Sequence, residues 1–160
     1  ADDNGELHML GRYPAMLTPI VSGGKLLAIH RTYLGDGCKA DVPTPKKLTA
    51  AAGPLVGACI PLAAPHGGVL GIAEGIETAA AASLGSGLPV VAAYCANALA
   101  GFALPRGIER LVIFADHDPA GQQAAATLAQ RATRAGLTSK TLTPSKPGSD
   151  WADVWLEGMQ

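Results

Sequence analysis

The stretch that decides the fold reads RLVIFADHDPAG, at residues 110–121. Its first six residues are almost all apolar, which is typical of a buried strand. The Asp-Pro pair that follows predicts the start of a helix, with Asp118 as N-cap and Pro119 as the first helical residue. Gly136 is expected to end that helix after Ala135. A strand running directly into a helix is the repeating unit of an α/β domain.

A second unit of the same kind lies upstream and reads GVLGIAEGIETA, at residues 68–79. Glu74 directly follows its apolar strand, Gly75 is expected to let the backbone turn tightly, and a helix is expected from Ile76. The alternation continues with a strand at 89–94, a short helix at 97–102 and a strand at 138–142. We therefore predict a parallel sheet flanked by helices, a Rossmann-like α/β fold, over residues 67–160.

Residues 1–66 follow a different pattern, in which glycine and proline interrupt short β-like runs. Strands at 15–21 and 25–34 flank Ser22-Gly23-Gly24, which predicts a hairpin, and residues 38–42 are a candidate third strand. The first 66 residues are therefore expected to form a small antiparallel β-rich lobe that precedes the α/β domain.

Composition excludes several classes of protein. The formal net charge of −1 over 160 residues gives no global basic field for nucleic acid. The three cysteines are widely spaced without a CxxC pair, which argues against a disulfide framework or an internal zinc site and favours the reducing cytoplasm. No apolar run approaches the roughly 20 residues of a membrane span. The chain opens without Met, so we expect it to be part of a longer protein.

Five carboxylates stand at or after the predicted strand ends: Glu74, Asp116, Asp118, Asp150 and Asp153. If their strands are neighbours in a parallel sheet, the first three converge on one edge. Acids sharing a site repel one another, and a divalent cation removes that cost. The simpler alternative is that Asp118 only caps the long helix, Asp116 is a turn residue and the last two belong to a solvated tail.

Residues 71–79 and 114–121 resemble the signature of the Toprim domain, a Glu after the first strand and Asp-x-Asp after a later one. That fold is shared by primases, type IA and II topoisomerases and several nucleases. The Ala120-Gly121 pair is more similar to the primase branch, and residues 30–48 are similar to the region preceding Toprim in plasmid and phage primases. PGSDWAD at 147–153 resembles the third acidic motif of these proteins. Thr78 departs from the cellular primase pattern, which has an Asp there.

The resemblance implies roles for particular residues. Glu74, Asp116 and Asp118 would be catalytic and bind Mg²⁺ or Mn²⁺, Glu74 as either general base or ligand, with Asp150 and Asp153 as accessory metal groups. The basic residues of the lobe would bind template phosphates or a nucleoside triphosphate; they are His30, Arg31, Lys39, Lys46 and Lys47. A solvated β face is the alternative for each of them.

The resemblance implies the catalytic core of a DNA primase from a cell or a mobile element, a metal-dependent nucleotidyltransferase of DNA replication. Its partners would be a single-stranded DNA template, ribonucleoside triphosphates and a replicative helicase or further domains of a longer chain, without a membrane. A Toprim-type nuclease and a non-catalytic DNA-binding module stay open as alternatives. A topoisomerase is disfavoured, because Tyr13, Tyr33 and Tyr94 lack the context of a nucleophile.

Overall fold

The computed structural model describes residue 9 and residues 11–159. Within them, the strands form two four-stranded sheets. The antiparallel sheet contains β1 (Ala15–Ser22), β2 (Lys25–Gly35), β3 (Cys38–Lys39) and β4 (Lys46–Leu48). The predicted hairpin is confirmed, with Gly23 and Gly24 both at positive φ in its turn. The third strand is shorter than predicted, and β4 was missed because three exposed residues after a proline carry no strand pattern.

The second sheet is parallel, with its strands in the order β6-β5-β7-β8. Its strands are β5 (Val69–Ala73), β6 (Val90–Ala92), β7 (Arg110–Phe114) and β8 (Thr138–Leu142), and its helices are α1 (Ile76–Ser86), α2 (Ala96–Gly101), α3 (Pro119–Arg134) and α4 (Trp151–Glu157). The predicted α/β fold class is therefore confirmed. Helix α4 is a difference, since the sequence indicated only a polar tail there.

Alternate residues of the central strands feed two apolar cores, one on each side of the parallel sheet. Leu70 and Ile72 of β5 pack with α2 and α3, whereas Ala73 packs with α1 and the antiparallel sheet. Gly71 is required on this second side, because a Cβ there would lie 2.8 Å from Val90 Cγ2 and 3.1 Å from the Phe114 ring.

The two sheets are joined through residues 59 and 60. Cys59 exchanges two backbone hydrogen bonds with Val21 of β1, and Ile60 exchanges two with Ala92 of β6. Ile20 of β1 belongs to the same buried core as α1. The predicted division at residue 66 stays a prediction, and the two parts on either side of it share a core. None of the helices in the described residues is both long and apolar enough to cross a bilayer.

Arg131 ties α3 to the end of α2, and its loss is expected to destabilise the fold. Its Nη1 donates to the carbonyl oxygens of Ala100, at 2.8 Å, and Phe102, at 2.9 Å. Arg131→Met keeps the apolar stem but removes both charged hydrogen bonds, which is expected to lower the free energy of unfolding by about 1.5–3 kcal/mol in urea titration. Arg134→Met, at an exposed position one turn later, is the control and should change it by less than about 0.5 kcal/mol. Equal losses would show that the bonds to α2 contribute nothing.

Candidate functional site

The carboxyl ends of β5 and β7 bring two predicted acids to one edge of the sheet. The strands are hydrogen-bonded neighbours in parallel register, with Ala73 opposite Phe114. Glu74 and Asp116 follow these residues by one and two positions, and both side chains are half-buried. The structure therefore contains the neighbouring pair of strands, β5 and β7, that the predicted acidic cluster requires.

Asp116 is the most perturbed acid of this edge. Burial, followed by the carboxylates of Glu74, Asp150 and Asp118 in that order of strength, raises its pKa to about 7 against an opposing effect of Lys46. Its Oδ1 is buried and has no hydrogen-bond partner among the described residues. An unpaired buried carboxylate oxygen is costly, so this atom is suited to binding a cation.

Glu74 shares the electrostatic environment of Asp116. Burial and then Asp118 raise its pKa, whereas Lys46 and the backbone N–H of Ala96 lower it. That N–H belongs to the first residue of α2, which follows a backbone turn at Tyr94 with a φ of 78°. Tyr94 also donates its own N–H to the Glu74 carbonyl oxygen at 2.8 Å. Non-glycine residues in this strained conformation occur preferentially at active sites and ligand-binding sites.

Asp118 has the capping role predicted for it. Its Oδ1 accepts a hydrogen bond from the backbone N–H of Gly121 at 2.7 Å, and Pro119 is the first residue of α3. Within residues 9 and 11–159, no three His, Cys, Asp or Glu side chains converge closely enough to hold a metal ion. The donor chemistry and the unpaired Asp116 oxygen fit a divalent cation such as Mg²⁺ or Mn²⁺, but the carboxylates of this edge do not converge on one point.

Asp150 and Asp153 have different environments in the structure, whereas the family resemblance implied the same accessory role for both. Asp150 is the N-cap of α4, and its Oδ1 accepts from the N–H groups of Ala152 and Asp153 at 2.7 and 2.9 Å. Its Oδ2 accepts from the Thr78 hydroxyl at 3.4 Å, and its charge raises the pKa of Asp116. Asp153 is exposed and completes a capping box by accepting from the Asp150 N–H at 3.0 Å. The sequence analysis did not predict this box, although the Asp-x-x-Asp spacing is a signal that could have indicated it.

The predicted basic residues lie on two faces of the antiparallel sheet. Residues opposite one another in antiparallel strands point to the same side. Thr32 pairs with Lys46, and their neighbours Arg31 and Lys47 pair on the other side. The Nζ of Lys46 lies 3.4 Å from an oxygen of Glu77 in α1, so this face meets the parallel sheet. Lys46 also acts electrostatically on Glu74 and Asp116, which places it at the acidic edge.

The other basic residues differ in environment. Lys39 pairs with Glu77 at 3.1 Å, beside Lys46. His30 is buried, and burial followed by Lys46 lowers its pKa, so its imidazole is neutral near pH 7 and poorly suited to binding phosphate. Arg31 is half-buried and Lys47 exposed, on the face away from Lys46. The structure thus brings Lys39 and Lys46 together and leaves Arg31 and Lys47 apart from them.

The pKa of Asp116 predicts an unusual pH dependence of stability. In the unfolded chain this group titrates near 3.8, whereas in the fold it keeps its proton to about pH 7. Between these values the folded chain binds more protons than the unfolded chain, so raising the pH lowers the free energy of unfolding. We expect the Tm of metal-free protein to fall across this window and to level off above it. The same dependence of Tm on pH in the Asp116→Asn variant would contradict a raised pKa for Asp116, because the opposing contributions of His30 and Glu77, whose pKa values are lowered, are present in both proteins.

Comparison of the sequence with protein families gives two matches. The Toprim domain family matches residues 69–159, which is more than half of the chain. A domain of unknown function (DUF7146) matches residues 3–59 and so covers most of the antiparallel lobe. No curated protein matches the chain significantly at the level of sequence.

Comparison of the fold finds several DNA primase structures. A DNA primase domain from Pseudomonas aeruginosa has a TM-score of 0.60 at 16% identity, over 98% of this chain and 51% of that one. The DnaG catalytic core has a TM-score of 0.63 at 16% identity, over 89% and 48%. The primase fragment of the bacteriophage T7 primase-helicase has a TM-score of 0.58 at 17% identity, over 89% of this chain and 58% of that one. This chain spans about half the length of these structures. It belongs to the Toprim domain family, and its fold is the one found in the catalytic cores of DNA primases.

Proposed function

We propose that this chain is a catalytic core of DNA primase, which joins ribonucleotides into short primers on a single-stranded DNA template. The observation that carries the proposal is the acidic edge around Asp116, together with Lys46, which reaches this edge from the other sheet. Carboxylates suit the metal ions of nucleotidyl transfer, and a lysine suits the phosphates of the incoming nucleotide.

In this proposal Glu74, Asp116 and Asp118 hold Mg²⁺ or Mn²⁺, with Asp150 beside Asp116. When bound, such an ion neutralises phosphate oxygens and lowers the pKa of an attacking hydroxyl. Asp118 would help to hold the ion through its second carboxylate oxygen, because Oδ1 accepts from the Gly121 N–H, and Asp153 would keep its place in the capping box. Glu74 has a raised pKa, so it is suited to accept a proton as well as to bind a cation.

Lys39 and Lys46 bind the triphosphate, because they are the lobe lysines that lie at α1 and the acidic edge. Arg31 and Lys47 face away and are assigned to the template phosphates, which need charge but no contact with the acids. His30 supports this sheet from its buried position. A replicative helicase is a further candidate partner.

A Toprim-type nuclease is the second candidate, because the same acids and ion can activate water instead of a 3′-hydroxyl. The two lysines favour the primase, since a nuclease has no triphosphate to hold. A non-catalytic DNA-binding module is disfavoured, because it would carry the cost of the crowded, half-buried acids without a use for them.

The test is incubation of the protein with single-stranded DNA, labelled ribonucleoside triphosphates and Mg²⁺ or Mn²⁺. Short labelled oligomers that require the DNA support the primase. Shortened DNA without incorporation moves the function to a nuclease. Neither product, with DNA binding retained, identifies a non-catalytic module.

A further inference from the structure

Glu77 holds two lysines of the antiparallel sheet, one with each carboxylate oxygen. Oε1 lies 3.1 Å from Lys39 Nζ of β3, and Oε2 lies 3.4 Å from Lys46 Nζ of β4. Glu77 itself lies in the first turn of α1, three residues after Glu74. One carboxylate thus pairs with both of the cations to which the proposed function assigns the triphosphate.

The contact is accessible to a dissolved anion. The Glu77 side chain is 35% exposed, and those of Lys39 and Lys46 are 46% and 40% exposed. Exposed ion pairs contribute little net free energy, because water and salt compete with them. An anion with more charge than a carboxylate can therefore displace Glu77 at small cost.

Lys46 connects this contact to the acidic edge. Its charge acts on Glu77 and also on Glu74 and Asp116. Burial raises the pKa of Glu77, but its own backbone N–H and the two lysines outweigh burial and lower it, so the group is ionised near pH 7. Glu77 therefore adds one more negative charge where an anionic ligand would approach.

We propose that Glu77 stands in for a polyphosphate: it holds Lys39 and Lys46 in the ligand-free protein and releases them when a polyphosphate binds. This inference rests on the proposed function for the identity of the ligand. Glu77 opposes binding of the polyphosphate in two ways: it competes for the lysines, and its charge repels the anion. It also favours binding in one way, because its ion pairs hold the two lysines in ordered positions before the anion arrives. Since the two pairs are exposed, we expect the opposing effects to be larger.

The probe is inorganic tripolyphosphate, titrated by calorimetry in the presence of Mg²⁺. We expect Glu77→Gln to lower the Kd by about threefold to tenfold at low salt, with less effect at high salt. Lys46→Gln should weaken binding, and Glu77→Gln should improve the Kd by a smaller factor in the Lys46→Gln background than in the wild type, because only Lys39 is left to be released. Glu157→Gln is the matched control, because Glu157 pairs with Lys146 at 3.7 Å outside this site, and it should leave the Kd unchanged.

Unchanged or weaker binding by a folded Glu77→Gln protein would overturn the proposal and assign Glu77 a purely structural role. Glu77→Asp is the second variant; its shorter side chain cannot hold both lysines at these distances, so an intermediate Kd is expected. Failure of the inference is distinguishable from failure of the proposed function. Tighter binding without primer synthesis would refute only the primase, and primer synthesis without tighter binding would refute only the role of Glu77.

Discussion

Replacing Asp116 by Asn is expected to abolish primer synthesis while making the metal-free protein more stable above pH 7. Asn keeps the shape of the side chain but loses the charge that a divalent cation needs. If Asp116 is a metal ligand of nucleotidyl transfer, incorporation of labelled ribonucleotides should fall by about 10³-fold or more. The measurement is the initial rate of labelled oligomer formation at saturating Mg²⁺.

The gain in stability has a separate cause. Above pH 7 Asp116 is ionised in the folded chain. Its half-buried position beside Glu74, Asp150 and Asp118 disfavours that charge and so lowers the free energy of unfolding. The Asp116→Asn variant has no such charge, so its Tm should exceed that of the wild type there, and the decline of Tm with pH should be weaker. Opposite changes in activity and stability are typical of a residue retained for function.

Glu109→Gln is the matched control for this experiment. Glu109 is exposed and directly precedes β7, whereas Asp116 follows it, so the two acids lie at opposite ends of one strand. The control should leave both incorporation and the pH dependence of Tm unchanged. A fully active Asp116→Asn variant would remove the metal site from the proposed function.

Long apolar strands and a capped helix made the parallel sheet predictable from the sequence, because their patterns are local. Helix α4 was not predictable in the same way. Its residues are largely exposed, and it is held by contacts that the sequence does not reveal, including the Trp151 ring, edge-on to Phe114 at 5.7 Å between centroids. Strand β4 likewise exists through its pairing with β2 rather than through any pattern of its own.

The residues that follow the ends of neighbouring strands could be predicted from the sequence. The face of the antiparallel sheet on which each basic residue lies could not, because it depends on the pairing register of the strands. The adjacency of Glu74 and Asp116 follows from a parallel sheet, and it is present. The separation of Lys46 from Lys47 required knowledge of which residues of β2 they face. The reason given for Gly75 was wrong: its φ is −99°, and a Cβ there would make ordinary contacts at 3.5 Å.

The glycine that the site does require is Gly121, and Gly121→Ala is expected to reduce activity by about tenfold to a hundredfold. An added Cβ would lie 3.0 Å from the Asp116 carbonyl oxygen, 3.2 Å from its Cβ and 3.3 Å from its nitrogen. All three atoms belong to or adjoin the backbone, so the methyl group displaces Asp116 itself by a few tenths of an ångström. The Gly121 N–H that caps Asp118 shifts as well.

Stability should change much less than activity in this variant. Alanine favours the helix by about 1 kcal/mol relative to glycine, which offsets part of an overpacking cost of about 1–3 kcal/mol. Gly101→Ala in α2 is the control, because a Cβ there meets nothing within 4 Å. If rates of labelled incorporation fall in Gly121→Ala but not in Gly101→Ala, at similar Tm, the position of Asp116 limits the reaction. If Gly121→Ala retains the wild-type rate, the acidic edge tolerates displacement, and a metal site centred on Asp116 loses its geometric basis.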